Sequence, residues 1–143
     1  MKTRKVKTLK QTWVRWLDLL WGLCVHSKNN RCAYCGKSVN ESKLDAHHIF
    51  HRGLSVRFDP KTGILLCYYC HHWRLMKDPE GMRQCFVKYV GGEKKYLKLY
   101  EKSKIVITDV DMVSFFKKYE KILLNELKIL KVSLPQKPKR LSP

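Results

Sequence analysis

Four of the six cysteines fall as two pairs, Cys32-x-x-Cys35 and Cys67-x-x-Cys70, and five of the six histidines lie between positions 47 and 72. A Cys-x-x-Cys turn presents two thiolates to one ion, so two such turns supply the four-sulfur tetrahedron that Zn²⁺ favours. The chain shows no secretory signature, which makes metal binding a better use of these thiols than disulfides. Four protein ligands close the shell, so this zinc is expected to be structural and not the reacting metal. Thirty-one residues separate the pairs, and closing the site must fold them into a loop clamped at both ends. The clamp brings Asp45 to His51 near His71. Cys24 and Cys85 lie on helical stripes and read as small core residues.

The histidines occur in Asp45-Ala46-His47-His48-Ile49-Phe50-His51 and in Cys70-His71-His72-Trp73. On a strand, Asp45 and His47 point to one face and His48 to the other. His71, opening a helix after the second cysteine turn, sits beside the strand end. The pattern suits one metal-binding imidazole from each side and a third left free as a base. Phosphodiester cleavage needs those parts: a group that deprotonates water near neutral pH, and charge on the phosphate and leaving oxygen. Arg52, Arg57 and Arg74 are near enough in sequence to add positive charge to the transition state. His51 and His72 read as surface or phosphate-contacting residues, with His72 turned about 100° from His71 on a regular helix.

Charge points to the same kind of substrate. Thirty Lys+Arg against 12 Asp+Glu leave +18 on 143 residues, an excess that calls for a polyanion, and counterion release makes nucleic acid the natural one. An anionic membrane surface is the rival, but it would call for one basic amphipathic helix, whereas here the charge is spread along the chain. No apolar run approaches the length that spans a bilayer, since Arg15 and Asp18 interrupt Trp13 to Val25. With no signal-peptide pattern at the N-terminus, the expected location is the cytoplasm.

Taken together, Cys32-x-x-Cys35, Asp45-x-His47-His48-Ile49 and Thr62-x-x-x-x-Cys67-x-x-Cys70-His71 resemble an HNH endonuclease of the zinc-knuckle ββα-metal type, over residues 32 to about 76. Arg52-Gly53, Arg57-Phe58-Asp59 and Val90-Gly91-Gly92-Glu93 extend the resemblance to the phage NinG (Rap) recombination nucleases, which act on branched DNA. The resemblance implies His48 as general base, His47 and His71 as ligands of a catalytic Mg²⁺ or Mn²⁺, and Asp45 as a further ligand or the orienter of one. Thr62 stands where the family has an Asn that braces the loop. Branched DNA such as a Holliday junction would be the substrate, in the host-cell cytoplasm if the chain is phage-encoded. The alternatives are a general HNH nicking endonuclease and a non-catalytic zinc-dependent nucleic-acid-binding module. The second uses the same cysteines and charge but has no need of His47 and His48 with His71 at those offsets.

Positioning these residues requires an α+β fold: a small zinc-clamped ββα core wrapped by N- and C-terminal helices. Apolar Leu9, Trp13, Trp16, Leu17, Leu20, Leu23 and Cys24 predict a helix from Thr8 to about Val25 within a basic N-terminal region, 1–31. The core, 32–77, reads as strand (43–50), loop (53–63), strand (64–66) and helix. In the helical region 78–133, helices are expected at 80–90, stopped by Gly91-Gly92, at 93–102, and after a capping box at Thr108-x-x-Asp111. The last carries the stripe Met112, Phe116, Tyr119, Leu123, Leu127 and Leu130, which could pack on the first helix, on the core or on a second copy in a homodimer. Residues 134–143 read as a flexible basic tail. If the charge serves nucleic acid, DNA affinity should fall steeply as salt rises, and a flat profile in a fluorescence-anisotropy titration would contradict this.

Overall fold

The computed structural model describes residues 8–51 and 53–142; the first seven residues of the basic arm, Arg52 and Pro143 lie outside them. Thr8 opens helix α1 (Leu9–Lys28) through a capping box: its hydroxyl accepts from the Gln11 N–H while the Gln11 side chain accepts from the Thr8 N–H. Two apolar faces result. Trp13, Trp16, Leu17, Leu20 and Cys24 are buried as their spacing predicts, but Trp21 and Val25, outside that stripe, are buried as well. They widen the apolar band because α1 has two partners.

The first partner is helix α6 (Met112–Ile129), whose buried Met112, Phe116, Tyr119, Leu123 and Leu127 follow the predicted stripe. Trp13 stacks on Phe116, the Trp16 indole donates to Glu120 at 2.6 Å, the Cys24 thiol faces the Leu123 carbonyl, and Lys28 pairs with Glu126. These contacts advance together, so the two helices run in the same sense. The stripe that could have served a dimer is thus covered by α1. Leu130 lies just past the helix, half-buried. The expected capping box is absent: the Asp111 N–H goes to the Thr108 carbonyl and not to its hydroxyl, which donates to the Asp111 carboxylate, and α6 starts at Met112 without a side-chain cap.

The second partner is an antiparallel hairpin of β1 (Leu44–His48) and β2 (Gly63–Cys67), in which Asp45 faces Leu66 and His47 faces Ile64. Every residue of β2 is buried. The segment joining the strands is more ordered than a loop: it holds helix α2 (Leu54–Arg57) and a 3₁₀ turn over Pro60–Thr62, because Val56 and Phe58 are drawn into the core and the Asp59 carboxylate accepts from the Lys61 N–H. After β2 the chain makes a π-helical turn, Cys70–Arg74, that runs into α3 (Leu75–Lys77). Helix α4 (Pro79–Val90) ends where Gly91 takes φ 101°, a left-handed conformation that glycine adopts without cost, and α5 (Glu93–Ser103) follows. The mixed α and β architecture matches the expected class. Within the segment expected as a flexible basic tail, Lys137 bonds Glu120 of α6 beside Trp13 of α1, and Leu141 is buried.

Gly63 is where α1 and the hairpin meet. A Cβ there would stand 2.3 Å from a Val25 methyl and 2.5 Å from the Trp21 ring. Gly63→Ala should therefore cost about 1–3 kcal/mol through overpacking, read as a lower denaturant midpoint; an unchanged midpoint would show that the interface yields freely.

Candidate functional site

The sulfurs of Cys32, Cys35, Cys67 and Cys70 all lie within 4.8 Å of one another, a cluster that could hold a metal such as zinc, as their spacing predicts. Backbone hydrogen bonds build it. Within the first turn Cys32 N–H donates to Lys37 and Gly36 N–H to Cys32, and the Ala33 N–H ties the turn to the Leu65 carbonyl of β2 at 2.8 Å. In the second turn the Cys70 N–H points at the Cys67 sulfur. Helix α4 braces the first turn from outside: the Tyr34 hydroxyl donates to Asp78, and the Cys85 thiol to the Ala33 carbonyl. At Cys32 burial opposes the thiolate, but backbone hydrogen bonds from Cys35, Cys67 and Tyr34 outweigh it and bring the thiol down to about 7. Burial and the neighbouring cysteine sulfurs push Cys35 and Cys70 up instead, so a bound cation is needed to make all four sulfurs thiolates. Burial pushes Cys24 up to about 11, consistent with an inert core cysteine.

Strand alternation distributes the next residues. Asp45 and His47 share the hairpin face toward the π turn: Asp45 Oδ2 is 3.6 Å from His71 Nδ1, and the His47 ring is 4.9 Å from that of His71 and 4.8 Å from that of His51. His47 is buried against Phe86 of α4. Its Nε2 and the Nδ1 of His71 are both shielded from solvent with no hydrogen-bond partner. A buried nitrogen left so costs about 1–3 kcal/mol, and a metal ion is one partner that would relieve it. Burial, reinforced by His51, His71 and His48, holds the His47 pKa down to about 3, so the ring is neutral as a ligand must be. His72 is not turned away as a regular helix would have it. One of its ring nitrogens lies within 4.8 Å of a carboxylate oxygen of Asp45 and a ring nitrogen of His71, in a turn wound as a π-helix and not as an α-helix.

His48 takes the opposite face. Its ring stacks flat on Trp21 at 3.8 Å, and its Nε2 lies 3.1 Å from the Arg57 carbonyl oxygen. A carbonyl only accepts, so this geometry puts the proton on Nε2 and leaves Nδ1 of the neutral ring with a free lone pair. Burial first, then the Arg57 charge, lowers the His48 pKa. The segment bearing that carbonyl is pinned by Thr62, whose buried hydroxyl reaches the carbonyls of Val56 at 2.8 Å and Asp59 at 2.9 Å. The Arg57 guanidinium makes a two-pronged pair with Asp18 of α1. Arg74 lies over the rings of Tyr34 and Tyr69, beside the cysteine turns. His48, His51 and Arg57 line a cleft of about 200 Å³ with Phe50, Gly53 and Leu54.

Sequence reasoning missed Trp21, the flat support of His48. It lies twenty-seven residues upstream and off the apolar stripe, and it is anchored by its indole N–H to the Asp59 carbonyl at 3.0 Å.

If the four cysteines share one ion, purified protein should carry one tightly held metal per chain. Cys67→Ser should lose it and unfold the hairpin, seen as faster amide exchange in β1 and β2; a metal-free hairpin with native protection would contradict the clamp. Comparison with protein-family models, with curated proteins and with solved structures finds no match for this chain, so the site stands on its own geometry.

Proposed function

We propose that the chain is a metal-dependent DNA endonuclease, with a structural Zn²⁺ on Cys32, Cys35, Cys67 and Cys70, a divalent ion at Asp45, His47 and His71, and His48 as general base. One observation carries the reading: the His48 ring is held by Trp21 and the Arg57 carbonyl with Nδ1 free, on the strand that presents Asp45 and His47 to His71 on its other face. His51 links the two faces, since its ring lies beside His47 and it lines the cleft with His48.

In this mechanism the Nδ1 of His48 takes a proton from water as the water attacks phosphorus. The imidazolium so formed keeps its Nε2–H on the Arg57 carbonyl and its face on the Trp21 ring, a cation–π contact that favours the charged form. A divalent ion at Asp45, His47 and His71 would supply the charge that the phosphate and leaving oxygen require. Thr62 acts at one remove, holding the segment that presents the Arg57 carbonyl, much as the bracing role expected of this position demands. The guanidinium of Arg57 is committed to Asp18, so its part is played through the backbone and through charge near the cleft. The surplus of Lys and Arg holds the DNA backbone. Preference for branched DNA is the finer form of the proposal, resting on the family resemblance.

His48→Ala should leave zinc content and DNA affinity near wild type and lower metal-dependent cleavage by about 10²–10⁴-fold. Junction, flap and linear duplex substrates of equal length would report the branch preference. Wild-type protein that binds all three and cuts none with any divalent ion would leave a binding module.

A further inference from the structure

The π turn after β2 does something that the nuclease reading does not require. It brings a second imidazole from the same turn to Asp45 and His71, since the ligand atoms of Asp45, His71 and His72 all lie within 4.8 Å of one another. We propose that His72 is a ligand of the ion held by Asp45 and His71, and that this site selects a first-row transition-metal ion such as Co²⁺, Ni²⁺ or Zn²⁺ over Mg²⁺. For its role in the reaction the proposal rests on the nuclease reading, but ion binding is measured without it.

Three features support the ligand set. The 3.6 Å between Asp45 Oδ2 and His71 Nδ1 is too long for a good hydrogen bond and close to the span of two ligands on one ion, each bonded at about 2.1 Å. His71 Nδ1 is shielded and unpartnered on that side, and the nine-tenths-buried His47 has an unpartnered Nε2 and a ring centred 4.9 Å from that of His71, although its ligand atom lies outside the 4.8 Å cluster of Asp45, His71 and His72. His72, although exposed, has its ring 4.3 Å from that of Tyr68, one turn earlier, and 4.7 Å from that of His71. The turn itself starts at Cys70, so the four-cysteine cluster sets where His71 and His72 stand.

Donor chemistry then decides the class of ion. Mg²⁺ demands a near-octahedral shell of oxygen and sheds water reluctantly, and a site with one carboxylate and two or three neutral imidazoles offers it little. Imidazole nitrogen suits Zn²⁺, Ni²⁺, Co²⁺ and Cu²⁺, and affinity at such a site rises along the first row. A further imidazole raises that preference and also occupies a position that would otherwise be taken by water.

The test is calorimetric titration of Co²⁺, and separately of Mg²⁺, into zinc-loaded protein, with the zinc content checked before and after. Wild type should bind one further equivalent of Co²⁺ and take up Mg²⁺ at least about tenfold more weakly. His72→Ala, at an exposed position, should keep the four-cysteine zinc and lose at least about tenfold in Co²⁺ affinity, while Asp45→Asn and His71→Ala should lose as much or more. Unchanged Co²⁺ affinity in His72→Ala, with loss in the other two, would make His72 a surface histidine stacked on Tyr68 and overturn its assignment. Equal affinity for Mg²⁺ and Co²⁺, or no further equivalent of Co²⁺ in wild type, would overturn the site's selectivity or the site itself. Normal Co²⁺ binding by a protein that cuts no DNA would support this proposal and remove only the nuclease reading.

Discussion

Convergence of two cysteine turns across a thirty-one-residue loop is the constraint on which the rest of the structure depends. Closing a loop of that length costs about 3 kcal/mol of chain entropy before any contact is made, and the hairpin alone is too short to repay it. A metal on four thiolates would do so, and it would act at the base of both strands. The candidate ion ligands Asp45, His71 and His72 lie close to that clamp. Asp45 and His47 project from the strand whose first residue, Leu44, pairs with Cys67, and His71 and His72 leave the turn that begins at Cys70. A shift of one residue in the β1–β2 register would carry Asp45 and His47 to the face that now holds His48.

Helix α1 meets a second demand, that of a rigid wall behind the hairpin. Its Trp21 is wedged between the backbone of Gly63 and the ring of His48, so one side chain both fills the core and aligns the candidate base. α1 can resist the pressure because its other face is held by α6 through stacked rings and the Trp16–Glu120 hydrogen bond. Packing energy far from the site is thereby spent on the orientation of one imidazole.

The few acidic residues follow a related logic. Asp18, Glu120 and Glu126 each pair with a cation or an indole N–H where two elements meet, and Asp59 lies within ion-pair range of Lys102. These carboxylates join elements to one another. Each pair also engages a cation, so the net charge of +18 is unchanged, and that is the charge a polyanion would meet.

Local pattern was enough for the longer elements, though not for α2 or the π turn. Periodic apolar residues marked α1 and α6, Gly91-Gly92 marked the end of α4, and the two Cys-x-x-Cys pairs marked a shared site, because each signal is complete within a few turns of chain. The strand alternation that separates His47 from His48 was legible for the same reason. What lay beyond it were contacts whose partners are far apart in sequence or depend on a nonstandard turn. Trp21 under His48, Arg57 against Asp18 and Leu141 in the core are set by how helices pack, and no local period encodes a partner tens of residues away. The capping box at Thr108 failed because the Thr108 carbonyl takes the Asp111 N–H that the hydroxyl would have accepted. His72 joined Asp45 and His71 because a π turn replaced the regular helix that residue spacing assumes. Sequence determined which residues could do chemistry, and tertiary structure decided which atoms of those residues face one another, since side-chain direction follows from packing and backbone winding and not from residue type.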